Sequence, residues 1–512
     1  MKKSLLIILF TICFVSLMQG QTEDIYQKYF PDPTHDMPVP ITKGNPVFNY
    51  FTQYKDVIAF IQELAAKHSD IMTVGSIGTT QKGKNQPMVL LTRKSKIADQ
   101  DKLRVTFIGG IHGNEPLSTD GMLYLMYLVT NDPANTALLD KVILQVIPMV
   151  NADGRTAETR ASNNSTDLNR DLTILNAKES VNLKIEINKF DPHVVIDFHE
   201  FSPARMDFRE LNDCYTSAYD ILFLYTGNLN VDPAIRSMVK NVFVEPTKTF
   251  LIGKGRRVAD YCTTFMKDNQ VWLNIGGIAS RSSATNYALQ NRISMLMEIR
   301  GLSEKEKSAK RRIETSALTA LSYLKIAHDN EAEIKEVVKT ATKNAVEGTR
   351  LSVVTSKPET IQRDYHFVDK CKVSDTTIVF NANYNVNQTP IIERPKPGAF
   401  LIFPASEKAK KVLSVSGVSV KTTTQPSQIN EAEQYSVNEN GQIIIIKETV
   451  SIPEGALVID SQQAMSNVIA DLIEPDGSNS LYTNKIIRKK SKENLIPIYR
   501  ISREQLSQLS TK

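Results

Sequence analysis

Residues 102–115 read Lys102-Leu103-Arg104-Val105-Thr106-Phe107-Ile108-Gly109-Gly110-Ile111-His112-Gly113-Asn114-Glu115. The β-branched and aromatic run Lys102 to Ile108 predicts a buried strand, and the paired glycines end it. A histidine and a glutamate then follow three positions apart. In an open α/β sheet, ligands gather outside the carboxyl ends of the strands, so the position of this pair matters as much as its spacing.

The flanking elements extend the same pattern. Leu117 to Val129 predicts a helix that is apolar nearly all round, hence buried. Val142 to Val150 predicts a second strand, stopped by the turn signal Asn151-Ala152-Asp153-Gly154. Asn176 to Phe190 has amphipathic helical periodicity, and Pro192 leads into a third strand, Val194 to Phe198. A last strand, Ile293 to Ile299, ends near Arg300-Gly301. Strands alternating with helices imply an α/β fold with a mixed, largely parallel sheet flanked by helices on both faces.

Upstream, Val57 to His68 predicts a helix, and Pro31 to Pro46 predicts an extended surface segment. Downstream, residues 302–347 contain neither Pro nor Gly and predict one or two long helices. Beyond Gly348 come short β-rich segments, Thr376 to Ala382, Ala399 to Phe403 and Gln442 to Lys447, separated by Pro-, Gly- and Asn-containing turns. They imply a second, smaller α+β domain.

At 512 residues the chain is long enough for two domains, and 41% hydrophobic residues supply their cores. A net charge of +5, with both signs interspersed, gives no basis for nucleic-acid binding. The start is a signal-peptide pattern: Lys2-Lys3, an apolar run from Leu5 to Met18, and cleavage expected after Gly20. The run is too short to span a bilayer, so a secreted or periplasmic protein with no stable membrane anchor after cleavage is expected. The mature chain keeps Cys214, Cys262 and Cys371. These allow at most one internal disulfide and otherwise read as buried small hydrophobes.

A catalytic zinc takes three protein ligands and leaves one position open, and two histidines with one glutamate form such a set. His112 and Glu115 supply two. The strand Val194 to Phe198 delivers His199 to the same sheet edge as the third. His193 precedes that strand and lies at the opposite edge, and His35, His68, His328 and His366 fall in linker, helix or second-domain contexts. Hydrolysis also needs a carboxylate to move protons and donors for the developing oxyanion. Glu298, late in an apolar strand, is the carboxylate candidate, with an ion pair to Arg300 as the competing reading. Arg155, Arg160 and Arg170 lie between the second and third strands, at the expected rim.

Taken in order, His112-x-x-Glu115, Asn151-x-Asp153-Gly154, Arg160, Asp167-Leu168-Asn169-Arg170, His199 and Glu298-Ile299-Arg300 resemble the zinc carboxypeptidases of the carboxypeptidase A type, over about residues 46–305. Carboxypeptidase A itself holds its zinc with two histidines and one glutamate. The resemblance implies one zinc per chain on His112, Glu115 and His199, with Glu298 as general acid/base and Arg160 polarising the scissile carbonyl. It implies that Asn169 and Arg170 grip the terminal carboxylate of a peptide, and that Asp167 orients the first zinc histidine. The corresponding organisation is a signal peptide (1–20), a Pro-rich segment (21–45), a catalytic domain (46–305), a helical connector (306–348) and a C-terminal α+β accessory domain (349–512). Segments around Arg394, Asp460 and Leu472 resemble those that follow the catalytic domain in some bacterial members.

Two departures stand out. The family's Asn-Pro-Asp-Gly is Asn151-Ala152-Asp153-Gly154 here. The resemblance also implies a substrate-capping tyrosine roughly two dozen positions before the catalytic glutamate. The nearest tyrosine, Tyr287, is only eleven positions ahead of Glu298 and reads as structural. Two other functions fit parts of the pattern. His112-Gly113-Asn114-Glu115 and Asp197-Phe198-His199 also resemble zinc amidohydrolases of N-acyl amino acids, of the aspartoacylase and succinylglutamate desuccinylase branch. A non-catalytic peptide-binding relative would keep the fold without turnover.

Overall fold

The apolar run Lys102 to Ile108 forms a strand at Leu103–Gly109, in the middle of an eight-stranded sheet. A computed structural model describes residues 25–40, 52–302, 304–489 and 494–512, so the expected signal peptide lies outside the described residues. Among the described residues, no helix is long and apolar enough to cross a membrane. Residues 31–40 carry no regular element beyond their last residue and lie at the surface, with Met37 and Val39 buried as anchors.

In chain order the strands nearest the site are β1 (Met72–Thr79), β2 (Asn85–Leu91), β3 (Leu103–Gly109), β4 (Val142–Ile147) and β5 (Val194–Phe201). Then come β6 (Tyr215–Ser217), β7 (Ile221–Leu224), β8 (Val258–Asp260), β9 (Cys262–Lys267), β10 (Gln270–Ile275), β11 (Ile293–Arg300), β12 (Arg350–Asp369) and β13 (Ser374–Pro395). The central sheet runs β1-β2-β4-β3-β5-β11-β7-β8. Its middle pairs, β4 with β3, β3 with β5 and β5 with β11, are all parallel. β1 and β2 are antiparallel additions at one edge, and β7 joins β11 antiparallel on the other side. All eight residues of β5 are buried, as expected for a strand covered on both faces.

The helix Pro116–Asn131 follows the His112 loop and packs against helix Ala309–Asp329. Gly121 permits that contact: a Cβ there would lie 2.3 Å from the Ser316 hydroxyl oxygen. Helix Ala309–Asp329 also carries two buried arginines into the sheet. Arg311 pairs with Asp220 at 2.6 Å, and Arg312 pairs with Glu200, the residue after His199.

A second, five-stranded sheet runs β6-β12-β13-β10-β9. It joins strands from residues 215–275 to a long hairpin, β12–β13, from residues 350–395. The sequence suggests short strands here, yet β12 and β13 span 20 and 22 residues. The hairpin absorbs its prolines through register shifts, one of them immediately after Pro358, so no turn is needed to interrupt it. The cysteines make the one disulfide that their number allows, and the reading of all three as buried small hydrophobes is corrected for two of them. Cys214 and Cys371 form a disulfide that ties the hairpin's tip to the segment before β6, and only Cys262 is a buried free thiol among the described residues. The two bonded cysteines are 157 positions apart in sequence, so proximity in the chain could not suggest the pairing.

A third sheet, antiparallel throughout its ladder, runs β15-β18-β14-β19-β16-β17, where β14 is Ala399–Ile402, β15 Lys421–Thr422, β16 Ser427–Val437, β17 Ile443–Ile452, β18 Leu457–Asp460 and β19 Leu495–Ile501. Arg394 at the hairpin's end reaches Glu474 (3.0 Å) and Asp476 (2.6 Å), and Arg503 pairs with Asp460. These contacts tie together the C-terminal segments around Arg394, Asp460 and Leu472.

Because the disulfide closes a long loop, replacing Cys214 and Cys371 by serine should lower stability by about 2–4 kcal/mol. Denaturant unfolding of both proteins, with and without a thiol reductant, measures this. Reductant should shift the midpoint of the native protein and leave that of the double variant unchanged.

Candidate metal centre and active site

β3 ends at Gly109, and Gly110 reverses the chain with φ +63°, a conformation that favours glycine. The loop then passes so close to the Asn151–Gly154 turn that a Cβ on Gly113 would lie 2.0 Å from the Gly154 carbonyl carbon. Two sequence motifs therefore meet backbone to backbone, and only glycine fits at Gly113. The Asn151 side chain caps its own turn, accepting from the Gly154 amide at 2.8 Å, and its Nδ2 donates to the Arg160 carbonyl. That fixes the segment that carries Arg160.

His112, Glu115 and His199 come together with 2%, 2% and 1% exposure, in contrast to ordinary solvated polar turns. His112 Nδ1 is 2.8 Å from Glu115 Oε1, His199 Nδ1 is 2.9 Å from Glu115 Oε2, and the two Nδ1 atoms are 3.0 Å apart. A tetrahedral zinc with bonds of about 2.0–2.1 Å holds its ligand atoms about 3.3 Å apart, so this donor set fits the ion in kind and spacing. The three side chains form a potential metal-binding triad.

Each imidazole also has a carboxylate on its outer nitrogen. Asp167 lies 3.0 Å from His112 Nε2, and Asp197 lies 2.8 Å from His199 Nε2. Such partners hold ring orientation and strengthen the ligand. The sequence motifs point to Asp167 but not to Asp197. The available signal was the strand period of two, which puts Asp197 and His199 on one face of β5 and Phe198 on the other. Ser283 donates to Asp197 at 2.6 Å, and its amide donates to Asn169 Oδ1 at 2.9 Å.

The electrostatics favour a cation. Burial works against a charged Glu115, but His112 and His199 outweigh it and hold its carboxyl below the usual range. Burial likewise opposes protonation of His199, yet Asp197 and Glu115 raise its pKa well above the ordinary value. A field that favours a proton on a buried imidazole also favours a metal ion there.

Glu298 is in register with His199 across the parallel β5–β11 pair, so both side chains share a face of the sheet. Arg300 is not its partner: that guanidinium is buried and binds Glu304 at 2.6 and 3.0 Å. Glu298 faces a cavity of ≈430 Å³ that also takes His112, Glu115, Arg160, Asn169 and Arg170 in its lining. Arg160 donates to Glu115 Oε1 (3.0 Å) and to Asp167 Oδ2 (2.9 Å). Arg155 is not at the rim. It is buried, and it donates to the carbonyls of Thr52 and Gly113. His193 lies at the opposite end of β5, where its Nδ1 accepts from the Arg104 amide.

Tyr287 is fully buried away from the cavity lining, and its hydroxyl has no partner among the described residues. Two other tyrosines reach the cavity, Tyr261 before β9 and Tyr365 from β12. Tyr365 is held by a hydrogen bond to Ser217 Oγ (2.9 Å) and by the rings of Phe208 and Phe367, with centroids 5.0 and 4.9 Å away. Neither is legible in the sequence, because the β9–β10 region and the hairpin carry no family pattern. Leu222 and Leu224 from β7 and Leu296 from β11 add apolar surface to a lining that also includes Thr263, Asn274 and Thr285.

A sequence model of the zinc carboxypeptidase family matches residues 57–191. That span includes His112, Glu115, Arg160, Asp167, Asn169 and Arg170 and stops before His199 and Glu298. Carboxypeptidase 2 of Trichophyton rubrum is 25% identical over 468 residues, covering 88% of this chain and 86% of that protein. Carboxypeptidase D of Homo sapiens is 28% identical over 109 residues, 20% of this chain and 8% of that protein. Among solved structures, a metallo-carboxypeptidase from Burkholderia cenocepacia aligns with a TM-score of 0.41 and 15% identity, covering 55% of this chain and 71% of that one.

If Asp197 orients His199, Asp197→Ala should weaken zinc binding by about 10–100-fold. Competition of the protein against a chromogenic chelator reads the affinity directly. An unchanged affinity would remove Asp197 from the site.

Proposed function

We propose that the protein is a secreted or periplasmic metallocarboxypeptidase that hydrolyses the last bond of peptides bearing a free C-terminal carboxylate, a reading supported by the match of residues 57–191 to the zinc carboxypeptidase family. One observation carries the reading. His112 and Glu115 of the buried triad line the same ≈430 Å³ cavity as Glu298, Arg160, Asn169 and Arg170, which is the set needed to activate water, stabilise an oxyanion and hold a carboxylate.

Zinc on His112, Glu115 and His199 supplies Lewis acidity, which lowers the pKa of water and polarises a carbonyl. Glu298 takes the proton of the attacking water and delivers it to the leaving amine. Burial first pushes its carboxyl up to about 7, with Glu115 adding to the rise and His199, His112 and Arg160 opposing it. Such a carboxyl both accepts and returns a proton near neutral pH. Arg160 presents a guanidinium to the carbonyl oxygen as charge develops on it. Asn169 and Arg170 bind the terminal carboxylate, for which a planar guanidinium has matching donors. Export follows from the signal-peptide pattern at residues 1–20.

Digestion of a peptide library, read by mass spectrometry with and without a chelator, tests the reading: products should be shortened from the C-terminus, and the chelator should abolish them. Glu298→Gln should keep stoichiometric zinc and reduce turnover by about 10²–10⁴-fold. Internal cleavage, or near-native activity in the Glu298 variant, would overturn the assignment.

A further inference from the structure

Four arginines line the cavity: Arg160, Arg170, Arg205 and Arg281. Two are neutralised within the protein. Arg160 is bound by Glu115 and Asp167, and Arg205 by both oxygens of Asp207, at 3.1 and 2.6 Å. The Arg170 guanidinium donates to the neutral Asn169 carbonyl, at 2.8 Å, and forms no ion pair with the described residues. Arg281 makes no hydrogen bond or ion pair with the described residues. Both are exposed, and both line the cavity. They are close enough to repel: burial and then the Arg170 charge hold Arg281 below the ordinary arginine value, with Asp167 offsetting only part.

The backbone beneath Arg281 is held on both sides. Ser280 donates to Asp471 of the C-terminal region, and Ser283 is bound to Asp197 and Asn169. Asn286, which follows in the helix Ser283–Ala288, donates to the Ser280 carbonyl and accepts from the buried Lys184 ammonium. A charge on a tethered loop, beside a second charge of the same sign and with no carboxylate paired to it among the described residues, is suited to bind an anion.

One terminal carboxylate neutralises one guanidinium. Resting on the carboxypeptidase reading, we infer that Arg281 recognises a second carboxylate, on the side chain of the substrate's C-terminal residue, so that the enzyme selects peptides ending in glutamate or aspartate. Leu222, Leu224 and Leu296 of the same lining offer apolar surface to the side-chain methylenes.

The test uses the full-length zinc-loaded protein and peptide pairs identical except for a terminal Glu or Gln, with a Leu-ended control. The native enzyme should favour Glu over Gln by roughly tenfold or more in kcat/KM, with the ratio shrinking as salt is raised. Arg281→Gln should bring the ratio close to one by weakening only the Glu peptide, and Arg281→Lys should restore part of it. Equal or better cleavage of the Gln or Leu peptide by the native enzyme would overturn the inference. So would an equal loss on both peptides in Arg281→Gln, which would make Arg281 a second grip on the terminal carboxylate. Calorimetric binding of the same pair to zinc-loaded Glu298→Gln separates the two readings. Glu-selective binding without cleavage by the native enzyme would sink the hydrolytic reading and keep this one, and cleavage with no selectivity in binding or turnover would do the reverse.

Discussion

Parallel pairing of β3, β5 and β11 is the constraint on which the site depends. In a parallel sheet every carboxyl end lies on one edge, so the loop after β3, the end of β5 and the end of β11 meet whatever their separation in sequence. The β5–β11 register sets Glu298 opposite His199, and the two-residue period of a strand puts Asp197 behind His199 on the same face. A one-residue slip of β5 would turn His199 and Asp197 into the core and Phe198 outward. With both faces of β5 buried, such a slip would also strand charged groups among apolar side chains, which makes the register strongly specified.

Charged groups deeper in the molecule hold this arrangement in place. Arg312 pairs with Glu200 beside the second histidine, and Arg311 pairs with Asp220 next to β7, so helix Ala309–Asp329 is anchored to the strands that build the site. Burying such pairs is costly, and replacing them by apolar residues is often neutral for stability. Their value here is positional. The C-terminal region acts in the same way at longer range. Asp471 accepts from Ser280, next to the lining residue Arg281 and 191 positions away in sequence, and Ser416 accepts from the buried Lys184, 232 positions away.

The pocket has a different origin from the metal ligands. One wall comes from strands without a recognisable sequence pattern, and Tyr365 arrives from the β12–β13 hairpin, which pairs with β6 and β10 and is fastened by Cys214–Cys371. An element outside the sequence motifs thus contributes to the cavity. Tyr261 and Tyr365 are the tyrosines that line this space, whereas Tyr287, the one nearest the offset the family resemblance implied, is core.

The parallel α/β core is legible in the letters of the chain, as buried apolar runs of strand length separated by helical periodicity. The metal triad is legible for a related reason: His112, Glu115 and His199 sit at strand ends, and parallel strand ends share an edge. Gly113 and Gly154 stand out as parts of motifs. That their backbones touch does not, since close approach is a property of pairs. Which arginines are free is settled by packing alone. Arg155, Arg160, Arg170, Arg205 and Arg281 are alike as letters, and their roles separate according to which carboxylates and carbonyls the fold brings within about 3 Å. The same holds for the disulfide, for Asp197 and for Tyr365. Local patterns specify elements and the edge where they end, whereas partners distant in sequence become defined only when packing sets their distance and removes the water between them.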